Sequence, residues 1–191
     1  MVEQHQAWLA SAGQSGRQLV SEDLDFRSAE LPEIELVDAQ IPGADFSAAS
    51  MARADLSGCN LASAKFRRAD FSNAALVKSN LDYTDFTAAS LVGVNLRRSS
   101  LIAAVLTEAD LERADLRGAN LSGADLRGAS LACSQLDQAF LDGTRLGGAN
   151  LRGATGIEAL ATCRIDVGVS DASDLREGEA ARKWLLQAAK A

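Results

Sequence analysis

Residues 114 to 128 read Ala114-Asp115-Leu116-Arg117-Gly118, Ala119-Asn120-Leu121-Ser122-Gly123, Ala124-Asp125-Leu126-Arg127-Gly128. Each group of five repeats the last: a small residue, Asp or Asn, Leu, then a polar pair ending in Gly. Stepping outward by fives, every position from Phe26 to Leu151 is large and apolar. Chance agreement of that kind has odds of about one in 10⁸ for a chain of this hydrophobicity. Two residues before each sits a small one, mostly Ala, as in Ala29, Ala39, Ala44, Ala49 and Ala54. Cys59, Ser79, Thr84, Ser99, Ser134 and Thr144 fill the same slot elsewhere, and Ile34 and Val94 are its bulkiest occupants.

A period of five fits neither a helix, at 3.6, nor a strand, at 2. One large and one small side chain per five point inward only if the chain turns a corner every five residues. Four corners close a coil of twenty, and coils stack at the inter-strand spacing of about 4.8 Å. Phe26, Phe46, Phe66 and Phe86 lie twenty apart and are expected to stack as a column inside such a coil. About 6.5 coils give a rod roughly 30 Å long. The composition agrees: 47 % of residues are hydrophobic but only 5 % aromatic, so the interior is filled mainly by Leu and Ala.

This pattern resembles the pentapeptide-repeat family, whose consensus is A-(D/N)-(L/F)-x-x. The resemblance covers residues 26 to 151. It implies an all-β solenoid, a right-handed quadrilateral parallel β-helix with short N-terminal and C-terminal helical caps. The expected organisation is a cap over 1–20, the repeat over 21–155, and a C-terminal cap with a dimerisation helix over 156–191.

A stacked coil exposes pairing edges at both ends, which must be covered. His5, Trp8, Leu9 and Ala12 sit at helical spacing, with Gly13 as the expected stop and Trp8 expected over the first coil. After the repeat fails at Gly156, a short strand is expected around Arg164–Val169. Asp174 and Glu177 read as a capping box for a helix with Ala181, Trp184, Leu185 and Ala188 on one face. In several members of the family the terminal helix makes a dimer. By that resemblance Trp184 and Leu185 are the candidate dimer interface of a homodimer.

No nucleophile elbow, phosphate-binding loop or dinucleotide fingerprint is present, and His5 is the single histidine. The many Asp residues occupy a repeat position, where they can bond corner backbone groups. The chain reads as non-catalytic, with no cofactor and no metal. Cys59, Cys133 and Cys163 lack metal-ligand spacing and read as free thiols of a reducing compartment. The start lacks a signal-peptide pattern and no apolar run reaches membrane-spanning length, so a cytoplasmic location and no membrane partner are expected. Cys59 is expected to be an inert core thiol and Cys133 an outward one.

Net charge is −7, which disfavours direct binding of nucleic acid. The charge is uneven. Residues 21–60 carry nine acids and two bases, residues 61–100 carry net +3, and residues 101–155 carry net −2. The family includes quinolone-resistance proteins of the Qnr and MfpA types, described as mimics of duplex DNA that bind gyrase. By that resemblance the best reading is a DNA-mimicking binder of a type II topoisomerase that relieves a topoisomerase poison. Glu30, Glu33, Glu35, Asp38 and Asp45 are its candidate partner-binding residues. The alternative is a scaffold for an unidentified protein partner. An acidic stripe continuous across a dimer favours the first, and acids confined to the tips favour the second. One side, centred on Leu61, Leu81, Leu101 and Leu121, carries no Lys or Arg and turns Tyr83, Ile102 and Phe140 outward, a further candidate contact.

Overall fold

The computed structural model describes residues 1–12, 14–157, 163–168 and 173–190. Gly13, expected to stop the first helix, and Val169, the expected end of a strand, lie outside them. From Val20 to Gln135 every fifth residue forms a parallel β-bridge with the residue twenty further on. The bridges fall into four ladders. The first runs Val20, Gln40, Asn60 and on to Phe140, the second starts at Asp25, the third at Glu30 and the fourth at Glu35. These ladders define four sides, numbered here in the same order. Six steps along the first ladder, at about 4.8 Å each, span about 29 Å.

Backbone pairing explains the period. The N–H of each large inward residue donates to the coil above, as Leu56 does to the carbonyl of Ala75 at 2.8 Å. The N–H of each bridge residue donates to the coil below, as Asn80 does to Cys59 at 2.9 Å. A turn bond closes each corner, as from the N–H of Ala119 to the carbonyl of Leu116 at 2.9 Å. The residue before that donor takes positive φ, near +60° at Arg53, Arg68, Lys78 and Arg98, as the third residue of a type II turn requires. The turn at each corner interrupts the extended chain, so the repeat is built from single bridges, one per side, rather than strands. The longer strands described lie at the C-terminal end.

The core is a single column. Leu36, Ile41, Phe46, Met51, Leu56 and the later large residues are fully buried, and Ala39, Ala44, Ala54 and Ala64 fill the small slot with no exposure. Three polar occupants of that slot bond across coils. The hydroxyls of Ser79, Ser99 and Thr144 donate to the carbonyls of Leu56, Leu76 and Leu121, each 23 residues back, at 2.7–2.9 Å.

The first helix, α1 (Val2–Ala10), covers the open end. Its buried residue is His5, not Trp8 as the helical spacing suggested. His5 Nδ1 accepts the N–H of Leu19 at 3.0 Å, and the half-buried Trp8 ring stacks on the imidazole at 5.6 Å. Leu19 presents an orphan N–H at the coil edge, and a side-chain acceptor satisfies it where indole cannot.

At the other end, β1 (Thr144–Arg145) pairs in parallel with β2 (Arg164–Asp166), which pairs antiparallel with β3 (Leu175–Glu177), followed by α2 (Gly178–Ala188). Thr144 faces Ile165, an offset of 21 rather than 20, so β2 extends the second ladder while leaving the repeat. Gly156 ends the regular register. A Cβ there would lie 2.2 Å from the Asp137 nitrogen. The expected capping box is absent, since α2 begins at Gly178 with no side-chain cap and Asp174 pairs with Arg176 at 2.7 Å. Asp166 organises the end instead, its Oδ1 accepting the N–H groups of Gly168 at 3.0 Å and Asp174 at 2.9 Å.

Leu185 and Ala181 are fully buried within the chain, and Trp184 packs against the core edge. Of the two residues expected at a dimer contact, Leu185 is thus buried against its own chain, where it helps close the coil, while Trp184 is only partly buried. The opposite face carries Glu179, Arg182, Lys183, Leu186, Gln187 and Lys190.

Candidate functional site

The fold turns sequence position into surface position. Residues five apart lie on successive sides and residues twenty apart lie on one side, one coil higher. The functional surface is the outside of this coil, which presents the bridge residues and the two corner residues that follow each inward one.

Most bridge carboxylates and amides are engaged in their own corners. Asp55, Asp70, Asp110 and Asn120 each accept the N–H two residues on, at 2.9–3.1 Å. Asp45 does the same with Ser47 at 3.0 Å. Burial raises the Asp45 pKa, but the Ser47 hydrogen bonds and the nearby Lys65 and Arg27 charges outweigh it and hold the group below its ordinary range. These residues shape turns before they meet any partner.

The five candidate partner-binding acids come together at one end but on different sides. Asp45 is on the second side, Glu30 on the third and Glu35 on the fourth. Glu33 occupies the corner between the third and fourth sides and Asp38 the corner after the fourth. They form a girdle, not a stripe. Glu33 is paired with Arg53. Glu30, Glu35 and Asp38 are exposed, and no ion pair is recorded for them among the described residues.

The central bases separate into two groups on opposite corners. Lys65, Arg67 and Arg68 follow the second side, where Arg67 Nε meets Asp85 at 2.5 Å. Lys78, Arg97, Arg98 and Arg117 share the corner after the fourth side. This second column was not read from the sequence as one feature, although the 20-residue register contains it. Arg97, Arg98 and Arg117 line an open cleft with Asp137 and Gln138.

The first side and its following corner hold no Lys or Arg from residue 20 to 143. Val20, Tyr83 and Phe140 stand exposed there at 65 %, 67 % and 61 %, while Ile102 is half-buried. Asn80 Nδ2 donates to Asn60 Oδ1 one coil below at 3.2 Å.

Among the described residues no group of His, Cys, Asp or Glu is arranged to hold a metal. Burial pushes the Cys59 thiol up to about 12, and its Sγ donates to the Leu36 carbonyl at 2.9 Å, so it is an unreactive core group. Cys163 is buried and also raised, while Cys133 is exposed. No described helix is long and apolar enough to cross a membrane.

Comparison with known proteins gives two family matches. The profile described as a pentapeptide repeat region matches residues 64–151, and that described as pentapeptide repeats (8 copies) matches residues 23–58 and 39–76. No curated protein matches. Among solved structures, HetL, a pentapeptide repeat protein involved in heterocyst differentiation regulation from the cyanobacterium Nostoc, is 25 % identical, with 88 % of this chain and 92 % of that one covered and a TM-score of 0.44. QnrB1, a plasmid-mediated fluoroquinolone resistance protein, is 19 % identical over 72 % and 74 % at a TM-score of 0.42. A pentapeptide repeat protein of the Arabidopsis thaliana thylakoid lumen is 20 % identical over 87 % and 88 % at 0.40.

Proposed function

This chain belongs to the pentapeptide-repeat family, and on that premise we propose that it is a non-catalytic protein-binding rod. The right-handed quadrilateral β-helix implied by the family is its scaffold, and a partner with a basic surface is its ligand. The observation that carries this reading is the acidic girdle. Glu30, Glu35 and Asp38 are exposed, and no ion pair is recorded for them among the described residues. Side chains that merely solubilise a rod need not concentrate at one end. A girdle suits a partner that grips the tip of the rod, the scaffold reading.

The topoisomerase reading rests on the family resemblance and on charge density. Residues 21–60 carry net −7 over two coils, and duplex DNA carries about six charges in the same ~10 Å. Glu30, Glu33, Glu35, Asp38 and Asp45 would then meet a basic DNA-binding saddle, and attraction of that kind weakens with salt. The deciding experiment is gyrase supercoiling and cleavage-complex formation with a fluoroquinolone, with and without the protein, over a range of salt. Relief of inhibition that disappears on changing Glu30, Glu35 and Asp38 to Lys supports the topoisomerase. No effect with the host's own gyrase leaves the tip-binding scaffold, to be sought by capture on wild-type but not charge-reversed protein.

A further inference from the structure

The corner after the fourth side changes sign along its length. Arg17 and Gln18 begin it, with Gln18 Nε2 donating to the Asp38 carbonyl at 2.6 Å and so fixing Arg17-Gln18 one coil below Val37-Asp38. Asp38, with Glu35 on the adjoining ladder, is acidic. The next coil has Asp55 on the ladder and bare Gly58 at the corner. Lys78 follows, then Arg97 with Arg98, then Arg117, and the corner ends on Asp137. Lys78, Arg97, Arg98 and Arg117 therefore occupy three successive coils. Lys78 and Arg98 have no recorded carboxylate partner among the described residues. Arg97 Nε is 3.9 Å from Asp115, which Arg117 holds at 2.6 Å.

We propose that this corner is a self-recognition surface, on which a second copy of the chain docks antiparallel about a two-fold axis through the coil of Ala75 and Lys78. The axis pairs coils by their distance from that level. Asp55 then falls opposite Arg97 and Arg98, Glu35 and Asp38 fall opposite Asp115 and Arg117, and Asp137 falls opposite Arg17. Each contact occurs twice, as an isologous interface requires. Two of the three levels on either side of the axis match in sign, and at the third Arg117 is shared between its own Asp115 and the facing acids. Like charges meet at Lys78 with its own copy on the axis, where long flexible side chains can splay into water, and at Glu35 with Asp115, where Arg117 lies beside Asp115 at 2.6 Å. A second copy is the occupant because its charges repeat at the same coil spacing of about 4.8 Å, so all levels align together. An interface of this kind is steered by charge and sensitive to screening. It does not require the partner proposed above, although Glu35 and Asp38 serve both contacts and a bound partner would compete with the second copy, so a negative gyrase result leaves it intact.

The test is the molar mass of the full chain by sedimentation equilibrium, from 5 to 200 µM, in low and high salt. Dimer is expected at about 50 mM salt, with self-association at least tenfold weaker at about 500 mM. Asp38→Lys and Arg117→Glu should each weaken the dimer at least tenfold, since each places two like-charge contacts in the interface. Lys78 already stands at the same corner position as Asp38, and Glu112 at the same repeat position as Arg117, so both changes fit the fold, and circular dichroism checks this. An equimolar mixture of the two variants should restore the dimer, because one contact is swapped and the other is wild type. The proposal is overturned by a monomer at 200 µM in low salt or a dimer indifferent to salt. Failure of the mixture to restore association, or a mass that climbs beyond two chains, overturns it equally.

Discussion

The rings of Phe46 and Phe66 stack with centroids 5.4 Å apart and planes 14° from parallel, although twenty residues separate them. Phe26 extends the column below at 4.7 Å and Phe86 above at 4.6 Å, and Phe71 meets Phe66 edge-on at 5.0 Å. Phe66 is thus the best-packed ring of the column. Phe66→Ala should cost about 3–5 kcal/mol, while Phe66→Leu, which installs the residue found on this side at Leu106, Leu126 and Leu146, should cost much less. Denaturant unfolding of the two variants separates them, and equal losses would contradict the stacked column.

Ala119 fills the small inward slot with no exposure, while Arg117 in the same coil points outward. The cross-coil bonds leave no room to expand, since neighbouring coils are held at hydrogen-bond distance. Ala119→Leu should therefore cost at least 1–3 kcal/mol by overpacking. Arg117→Ala loses one surface ion pair and should cost under about 0.5 kcal/mol. Similar melting temperatures for both would show that inward and outward positions are misassigned.

What the sequence disclosed follows from which interactions are periodic. The coil, the Phe column and the corner role of residues such as Asp55 and Asn120 repeat with the backbone, so one unit predicts the next. The ends do not repeat. Nothing in a nine-residue helix says that His5 rather than Trp8 meets the coil, because the choice depends on the Leu19 N–H left unpaired at the edge. The apolar face of α2 was legible, but an apolar face suits a cap and a twin equally, and the burial of Leu185 against its own coil is not written in the helix. The candidate acids were read along the chain and so as neighbours, whereas a step of five carries each to the next side of the coil.

Leu185 is fully buried and Trp184 only partly so. Leu185→Ala should loosen the C-terminal cap, at a cost of about 2–5 kcal/mol if the cap unfolds with the rod. Trp184→Ala should cost less and leave the molar mass unchanged. Hydrogen exchange over residues 175–189 reads the cap directly. A Leu185→Ala chain that keeps full protection while changing its association state would return this residue to an interface.

Ser134 occupies the same slot as Ser79 and Ser99, but its buried hydroxyl has no hydrogen-bond partner, whereas theirs bond a carbonyl on the coil below. A buried polar group without a partner is destabilising, and its removal in an Ala-shaped slot relieves that. Ser134→Ala should stabilise the protein by about 1 kcal/mol, and Ser79→Ala should destabilise it by about 0.5–1.5 kcal/mol. The opposite signs make the pair informative: a loss at both positions would mean that Ser134 bonds in solution.

Asp125 carries the densest ion pairing of the repeat, with Arg127 at 2.6 Å and Arg145 at 3.2 Å. Burial raises its pKa, but hydrogen bonds from the Arg127 side chain and backbone, with the charges of Arg127 and Arg145, outweigh that and leave it below the ordinary carboxylate value. Asp45, Asp85, Asp115 and Asp166 are lowered likewise. A carboxylate depressed in the folded state binds fewer protons there than when unfolded, so folding is favoured wherever the unfolded group is ionised. The contribution is complete above the unfolded value of about 4 and is lost as pH falls through the lower folded value. Stability should thus hold from pH 7 to about 5 and fall steadily below about 4. Asp125→Asn should remove its share of this dependence without breaking the corner, because Asn120 accepts the equivalent N–H from Ser122 at 3.1 Å. Denaturant midpoints at pH 7 and pH 2.5 test this. The variant should be less stable than wild type at pH 7 and nearly equal at pH 2.5, and a gap that widens in acid would reverse the sign assigned to Asp125.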